Sequence, residues 1–396
     1  LEGAAPGARN RHVLVSALGI TQILAWGSSY YLPAVLAAPI AADTGWSLAS
    51  VVAGLSCGLL LAGLVSPVTG RLIQRHGGRP VLAASSLLLA AAHALMAGAT
   101  AYPLYLLAWL LMGLGMSSGL YDAGFATLGR LYGQGARGAI TNLTLFGGFA
   151  STVCWPLSAF LVEHEGWRIA CLCYAAIHLL ICLPLHLWVI PPPPPVSMPA
   201  PATAGWKQAS TTGRARTRFI LLASIQTLAA LIASMLSVHL LTLLQFRGVG
   251  LAAAVALGTL VGSSQVGARV AEMLIGRNRH HPIWTMLTSV SLLAAGVWLL
   301  LASQTLTALA LILYGAGNGI HTIARGALPL VLFDPQRYAA LMGKLATPSL
   351  IVQAAAPSIG ALLLGVGGGN LVLTTLALAA TVNLGLCACL FAAVRR

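Results

Sequence analysis

Four ionisable side chains sit where water should be absent. Asp122, Arg269, Glu272 and Arg325 each interrupt a long apolar block, and charge inside such a block is costly unless it faces a cavity or a partner. Arg325 ends a polar stripe. Tyr314, Asn318, His321 with Thr322, and Arg325 recur at i, i+4, i+7, i+8 and i+11, which on a helix is one face of an otherwise apolar segment. Gln265, Arg269 and Glu272 form a second stripe, and Ser118 with Asp122 a shorter third. A guanidinium in such a place suits a small carboxylate, whose two oxygens match its fork of donors. A carboxyl beside a cation is the group that takes up a proton when that cation is drawn away. Arg325 and Arg269, with His321, Asn318 and Gln265, are therefore the expected anion-binding residues, and Asp122 and Glu272 the expected proton carriers. Arg269 and Glu272, three apart, could also simply neutralise each other.

These stripes require helices in a membrane. Charged residues make up only 7% of the 396, hydrophobic residues 58%, and the mean hydropathy is +0.88. A soluble domain could not bury so much apolar surface. Twelve spans of about 20 residues would use about 240 of them and leave short loops. The blocks fall near 13–40, 48–70, 80–98, 103–131, 137–162 and 167–190, then 218–246, 251–276, 282–302, 305–332, 339–364 and 370–394. Between the two sets lie five consecutive prolines from Pro191 and a basic run through Lys207, Arg214, Arg216 and Arg218. Polyproline cannot continue a helix and prefers an extended, solvated form. The expected fold is an all-α membrane protein of twelve transmembrane helices. It divides into six-helix bundles at 1–190 and 218–396, joined by a water-exposed linker at 191–217.

The formal net charge of +14 reads as topology and not as nucleic-acid binding. With the N-terminus inside, 16 of the 21 Lys and Arg fall in inside segments, while Arg168 and Arg247 fall outside and Arg269, Arg325 and Lys344 lie in spans. Both termini and the linker are expected on the cytoplasmic side of an inner membrane. The seven cysteines all lie in apolar blocks, so no disulfide framework is expected. Cys171 and Cys173, like Cys387 and Cys389, point to different faces of a helix and read as small apolar filler. The first apolar block is too long for a cleavable leader.

The halves echo each other. Met112-Gly113-Leu114-Gly115 is answered 202 residues later by Tyr314-Gly315-Ala316-Gly317, and Trp155-Pro156-Leu157-Ser158 at nearly the same offset by Ala356-Pro357-Ser358-Ile359. Repeated halves with matched glycines and prolines are the mark of a transporter built from repeats.

The connection between blocks two and three is more specific. Gly70-Arg71-Leu72-Ile73-Gln74-Arg75-His76-Gly77-Gly78-Arg79-Pro80-Val81 resembles the loop signature of the major facilitator superfamily. Its ending, with Gly45-Trp46-Ser47 and Gly166-Trp167-Arg168, looks most like the monocarboxylate-porter branch and its bacterial relatives. The resemblance implies two pseudo-symmetric bundles with spans one, four, seven and ten lining a central path. Asp122 and Arg325 would then face each other across it; Tyr30, Tyr31, Gln22, Trp26, Gln226 and His239 would be cavity-lining or interhelical residues, with Tyr30, Tyr31 and His239 counted among the expected substrate-binding residues. It also implies a gating role for Gly70, Gln74, Arg75, Gly77 and Arg79. The chain departs from the family at Gln74, which stands for the loop's acid, and at Gln265, which stands for the acid four residues before Arg269. A coupled proton would have to be carried by Asp122, Glu272 or His321. His93 and His178 read as packing or interface residues.

The function these readings imply is secondary transport of a small organic anion such as a monocarboxylate, by alternating access, as proton symport or exchange. Two other readings are an efflux carrier for drugs or metalloids and a transport-inactive membrane sensor. No catalytic constellation, phosphate-cradling loop or metal cluster is visible in the sequence. The chain is expected to act as a monomer in the lipid bilayer, without cofactor or metal and not as an enzyme.

Overall fold

The computed structural model describes residues 8–192, 213–276 and 280–395. Most of the linker and the turn carrying Arg277 and Arg279 lie outside them. Every regular element among the described residues is helical. In chain order they are α1 (Ala8–Ser28), α2 (Pro33–Thr44), α3 (Leu48–His76), α4 (Gly78–Ala97), α5 (Tyr102–Gly119), α6 (Tyr121–Tyr132) and α7 (Arg137–Gly148). Then come α8 (Ala150–Ile177), α9 (Leu183–Val189), α10 (Gly213–Phe246), α11 (Leu251–Gly276), α12 (Pro282–Ala302), α13 (Thr307–Leu332) and α14 (Tyr338–Arg395). Eight stretches are long and apolar enough to cross a membrane; Tyr102–Val189 holds three spans and Pro335–Arg395 two. With α13 they supply the twelve spans expected.

The bends follow local chemistry. Gly166 (φ 80°) bends α8 between spans five and six, and Gly368 (φ 64°) bends α14 between spans eleven and twelve. Ser47 caps α3 by accepting the Ser50 N–H at 3.1 Å. The connection between spans two and three shrinks to one residue, Gly77, at φ 81° and ψ 172°, where a side chain would be strained. Spans one, four and five are each broken. The first is interrupted between Ser28 and Pro33, the fourth at Leu120, the fifth at Phe149. Span six carries one wide helical turn at His178–Cys182.

The chain separates into two compact units, Leu1–Pro194 with Pro335–Ala354, and Pro195–Asp334 with Ala355–Arg396. The start of span eleven thus packs with the first unit, and α14 passes from one unit to the other. Trp109, Tyr105 and Tyr174 are fully buried in the first core; Leu293, Val297, Leu373 and Leu376 fill the second. The outer faces are apolar too: Leu64 is 58% exposed, Leu180 74% and Val366 76%. A surface this greasy has lipid as its solvent.

Candidate functional site

In the first unit the candidate residues gather around the break in span four. α5 ends at Gly119, Leu120 leaves helical geometry (φ −84°, ψ −168°), and α6 restarts at Tyr121. A broken helix leaves carbonyls without partners. Gln22 of α1, fully buried, donates its Nε2 to the Gly119 carbonyl at 2.6 Å. Asp122 consequently stands in the first turn of α6, where the positive end of the helix dipole favours a carboxylate. It lines a small cavity of about 10 Å³ with Ser66, Thr69, Ser117 and Gly70, about one water in size. Ser117 Oγ is 3.0 Å from Thr69 Oγ1 and 3.4 Å from Ser66 Oγ. Of the third stripe, Asp122 stands on a helix start beside this cluster of hydroxyls, while Ser118 donates within its own helix to the Leu114 carbonyl at 2.6 Å.

Tyr30 and Tyr31 lie in the break in span one and belong to an aromatic cluster. Trp26 packs on Tyr30 at 5.4 Å between ring centroids, on Tyr31 at 6.1 Å and on Tyr121 at 5.1 Å, and Tyr31 meets Trp155 at 6.1 Å. The Trp26 indole N–H is buried and finds no hydrogen-bond acceptor among the described residues.

The residues expected to gate divide by geometry. Gly77 makes the turn, whereas Gly70 lies inside α3 and serves close approach: a Cβ there would lie 3.1 Å from Gly343 of α14. Gln74 donates its side-chain amide to the Gln336 carbonyl, a bond that the family's acid could not make as a donor. Arg75 is exposed and Arg79 half-buried. Two other sequence marks meet: Asp43, at the end of α2, accepts from Trp167 Nε1 at 3.0 Å and pairs with Arg168 at 3.2 Å.

In the second unit, the polar face of α13 proves to be two faces. Tyr314 and His321, seven apart, are buried on the α12 side, with His321 Nδ1 3.3 Å from Ser289 Oγ. Asn318, Thr322 and Arg325 are half-buried and follow i, i+4, i+7. Arg269 is 5% exposed and clamps α11 to α13: its Nε donates to the Gly319 carbonyl at 3.2 Å and its terminal nitrogen to Thr322 Oγ1 at 3.4 Å. Gly319 permits this approach, because a Cβ there would meet the backbone of Gln265. Glu272 turns to the neighbouring helix, accepting from Thr285 at 2.8 Å and lying 3.5 Å from His280. His239 of α10 is 2.9 Å from the Pro357 carbonyl in α14, and Gln226 reaches the Arg325 carbonyl at 3.5 Å. No group of three or more His, Cys, Asp or Glu among the described residues could hold a metal.

The structure brings together two buried pairs that spacing could not show, Ser28 with His178, read from the sequence as a packing or interface residue, and Ser86 with His186, which is not singled out from the sequence. Histidine in the middle of an apolar block was the signal available for both.

The Major Facilitator Superfamily profile matches residues 18–328. No curated protein matches the sequence. Among solved structures the chain is similar to the human organic anion transporter MFSD10 (TETRAN), with a TM-score of 0.74 at 17% identity over 97% of this chain and 100% of that one. It is likewise similar to the E. coli fucose:proton symporter FucP, with a TM-score of 0.70 at 13% identity over 96% and 99%. At these identities the structures testify to the fold, while the profile covers well over half of the sequence; this multi-pass membrane chain belongs to the major facilitator superfamily, whose members are transporters.

Proposed function

We propose that the protein carries a small organic anion across the membrane by alternating access, with Arg325 as the residue that holds the anionic group. The observation that supports this most is the half-buried face Asn318–Thr322–Arg325 on a helix without a single acidic residue. Arg269 and His321 serve this face by position: one locks α11 against α13, the other turns towards α12. Asp122, at the start of α6 beside a cluster of hydroxyls, is our candidate for a coupled proton, since Glu272 already serves Thr285. The similar solved structures include a transporter described as acting on organic anions and a proton symporter, which agrees with this class of substrate and coupling. The proposed setting is the inner membrane with both termini cytoplasmic, which accounts for the arginine distribution.

The test is binding and uptake by purified protein in proteoliposomes with lactate and related monocarboxylates, with and without a pH gradient. Arg325→Gln is expected to abolish anion binding while leaving thermal stability unchanged; wild-type affinity in that variant would overturn the site. The aromatic cluster around Trp26 favours a second reading, efflux of a bulky apolar compound. In that case Arg325→Gln would spare binding and Trp26→Ala would lose it. A single cysteine at Ser210 in a cysteine-free background is expected to resist an impermeant thiol reagent applied outside, and ready labelling would reverse the orientation.

A further inference from the structure

The hydrogen-bond chemistry of one buried histidine points to a proton site outside the charged stripes. His93 of α4 is fully buried. Its Nδ1 lies 2.7 Å from the Leu89 carbonyl oxygen and its Nε2 lies 2.8 Å from the Ser28 carbonyl oxygen. Carbonyl oxygens only accept, so both ring nitrogens must donate, and a neutral imidazole carries one N–H where the imidazolium carries two. The arrangement is that of the charged ring. Two features of its surroundings offset part of the cost of burying that charge without a carboxylate. Ser28 is the last residue of α1, so its carbonyl belongs to the turn left without intrahelical donors, at the negative end of the helix dipole. The Tyr174 ring lies 5.7 Å away between centroids, within reach of a cation–π attraction.

We propose that His93 is a proton-binding site, and that its loaded form clamps the break in span one to α4. The same Ser28 that accepts from His93 through its carbonyl lies 2.8 Å through its hydroxyl from His178 Nε2. His178 stacks on His93 at 5.7 Å and 28°, and its Nδ1 is buried without a hydrogen-bond partner among the described residues. Two stacked imidazoliums would repel, so the pair carries one proton, on His93, and His178 stays neutral. The proton leaves from Nε2, with Nδ1–H kept on the Leu89 carbonyl of the same helix, and the Nε2 lone pair then faces a lone pair of the Ser28 carbonyl. The contact must then open, either by the ring turning or by Ser28 moving away. Ser28 directly precedes the interruption that carries Tyr30 and Tyr31 into the aromatic cluster with Trp26. Loading and unloading of His93 is therefore transmitted to that cluster through two residues of backbone.

The titratable groups around the site come from few elements. The rings facing His93 are His178 and Tyr174. His186, bonded to Ser86 at 2.9 Å, acts on His178, and the thiols of Cys154 and Cys171 flank Tyr174. Arg168, paired with Asp43, binds the Ala97 and Ala99 carbonyls at the far end of α4. Among the described residues, no titratable side chain of α1, α3, α5 or α6 contacts His93.

The proposal stands apart from the anion reading, and its test needs no substrate. Nitrogen-15 NMR of histidine-labelled full-length protein in nanodiscs follows the ring from about pH 5 to about pH 9, the range in which histidine changes charge. The His93 signal is assigned by its dipolar contact to carbonyl-labelled serine in the wild type and by its loss in His93→Asn. The expected result is a ring with both nitrogens protonated at the acid end. It loses one proton as pH rises, with a simultaneous change at fluorine-labelled Tyr30 that His93→Asn no longer shows. A His93 ring that stays neutral throughout would overturn the proton site. A ring that titrates while Tyr30 stays unchanged in the wild type would overturn the clamp. Either result leaves anion binding at Arg325 to be decided by its own assay.

Discussion

Spans four and ten are counterparts, 202 residues apart in the repeat, and they begin by solving the same packing problem. Gly113 meets the backbone of Gly58 on α3, and Gly315 meets the backbone of Val261 on α11, which is span two or its equivalent in each half. Gly115 lies against Leu89 on α4, and Gly317 against Leu293 on α12, which is span three or its equivalent. One turn later they part. Ser117 shares its hydroxyl with Thr69 and Ser66, where its counterpart Gly319 offers only a carbonyl to Arg269. Gly119 abuts Ser85, and its counterpart His321 faces Ser289. Span four then breaks at Leu120 and begins a second helix with Asp122 in its first turn, while span ten continues unbroken to Leu332. Small residues fixed the helix contacts in both halves. The broken half used the freed helix start to hold an acid, and the unbroken half kept its backbone bonds and carries its cation on the helix face.

The strongest way to break this equivalence is to load both contacts. Gly113→Leu and Gly315→Leu each push a side chain into a neighbouring backbone, where no rotamer change relieves it. The cost is expected to exceed about 3 kcal/mol, seen as loss of monodisperse protein on size exclusion. A well-folded Gly315→Leu beside an unfolded Gly113→Leu would show that the halves do not pack alike.

Removing the clamp of the unbroken half is expected to rank next. Arg269→Met removes the guanidinium's bonds to the Gly319 carbonyl and to Thr322 Oγ1 at a buried contact, costing about 1.5–3 kcal/mol and lowering Tm. Arg325→Gln is expected to hold Tm and lose anion binding. If the two arginines exchanged these phenotypes, the assignment of clamp and ligand residue would be reversed. In the broken half, Gln22→Leu strips the Gly119 carbonyl of its donor; about 1–2 kcal/mol is expected, read as a Tm drop smaller than that of Arg269→Met. The smallest stability effect belongs to Asp122→Asn, which removes a charge from the start of α6 worth about 0.3–1 kcal/mol. Its larger consequence is expected in transport, with exchange preserved and net uptake no longer responding to a pH gradient.

Much of this architecture was legible in the sequence, because it depends on local composition. A run of apolar residues long enough for a bilayer is a span wherever it occurs, and twelve such runs located the helices to within a few residues. The repeat of Gly113 and Gly115 in Gly315 and Gly317 announced two halves, since only small residues allow helices to touch backbone to backbone. The loop from Gly70 to Val81 carried the family, and the charged residues announced themselves by their cost.

The tertiary structure decided what composition could not. Leu120 is no helix breaker by type; span four breaks there with Gln22, 97 residues earlier in the chain, meeting the freed carbonyl of Gly119. That long-range donor turns Asp122 from a charge inside a span into the first turn of a helix. The polar stripe of α13 was one stripe by spacing, but α12 on one side and Arg269 on the other divided it, since a helix face takes its meaning from the neighbour it meets. His93 and His178 read as packing or interface residues because spacing says nothing of the carbonyl at Ser28, which lies 65 residues from His93. Hydropathy and periodicity are sums over neighbours in the chain, and they give each helix its place in the membrane. Hydrogen-bond partners are neighbours in space, and only the folded chain assigns them.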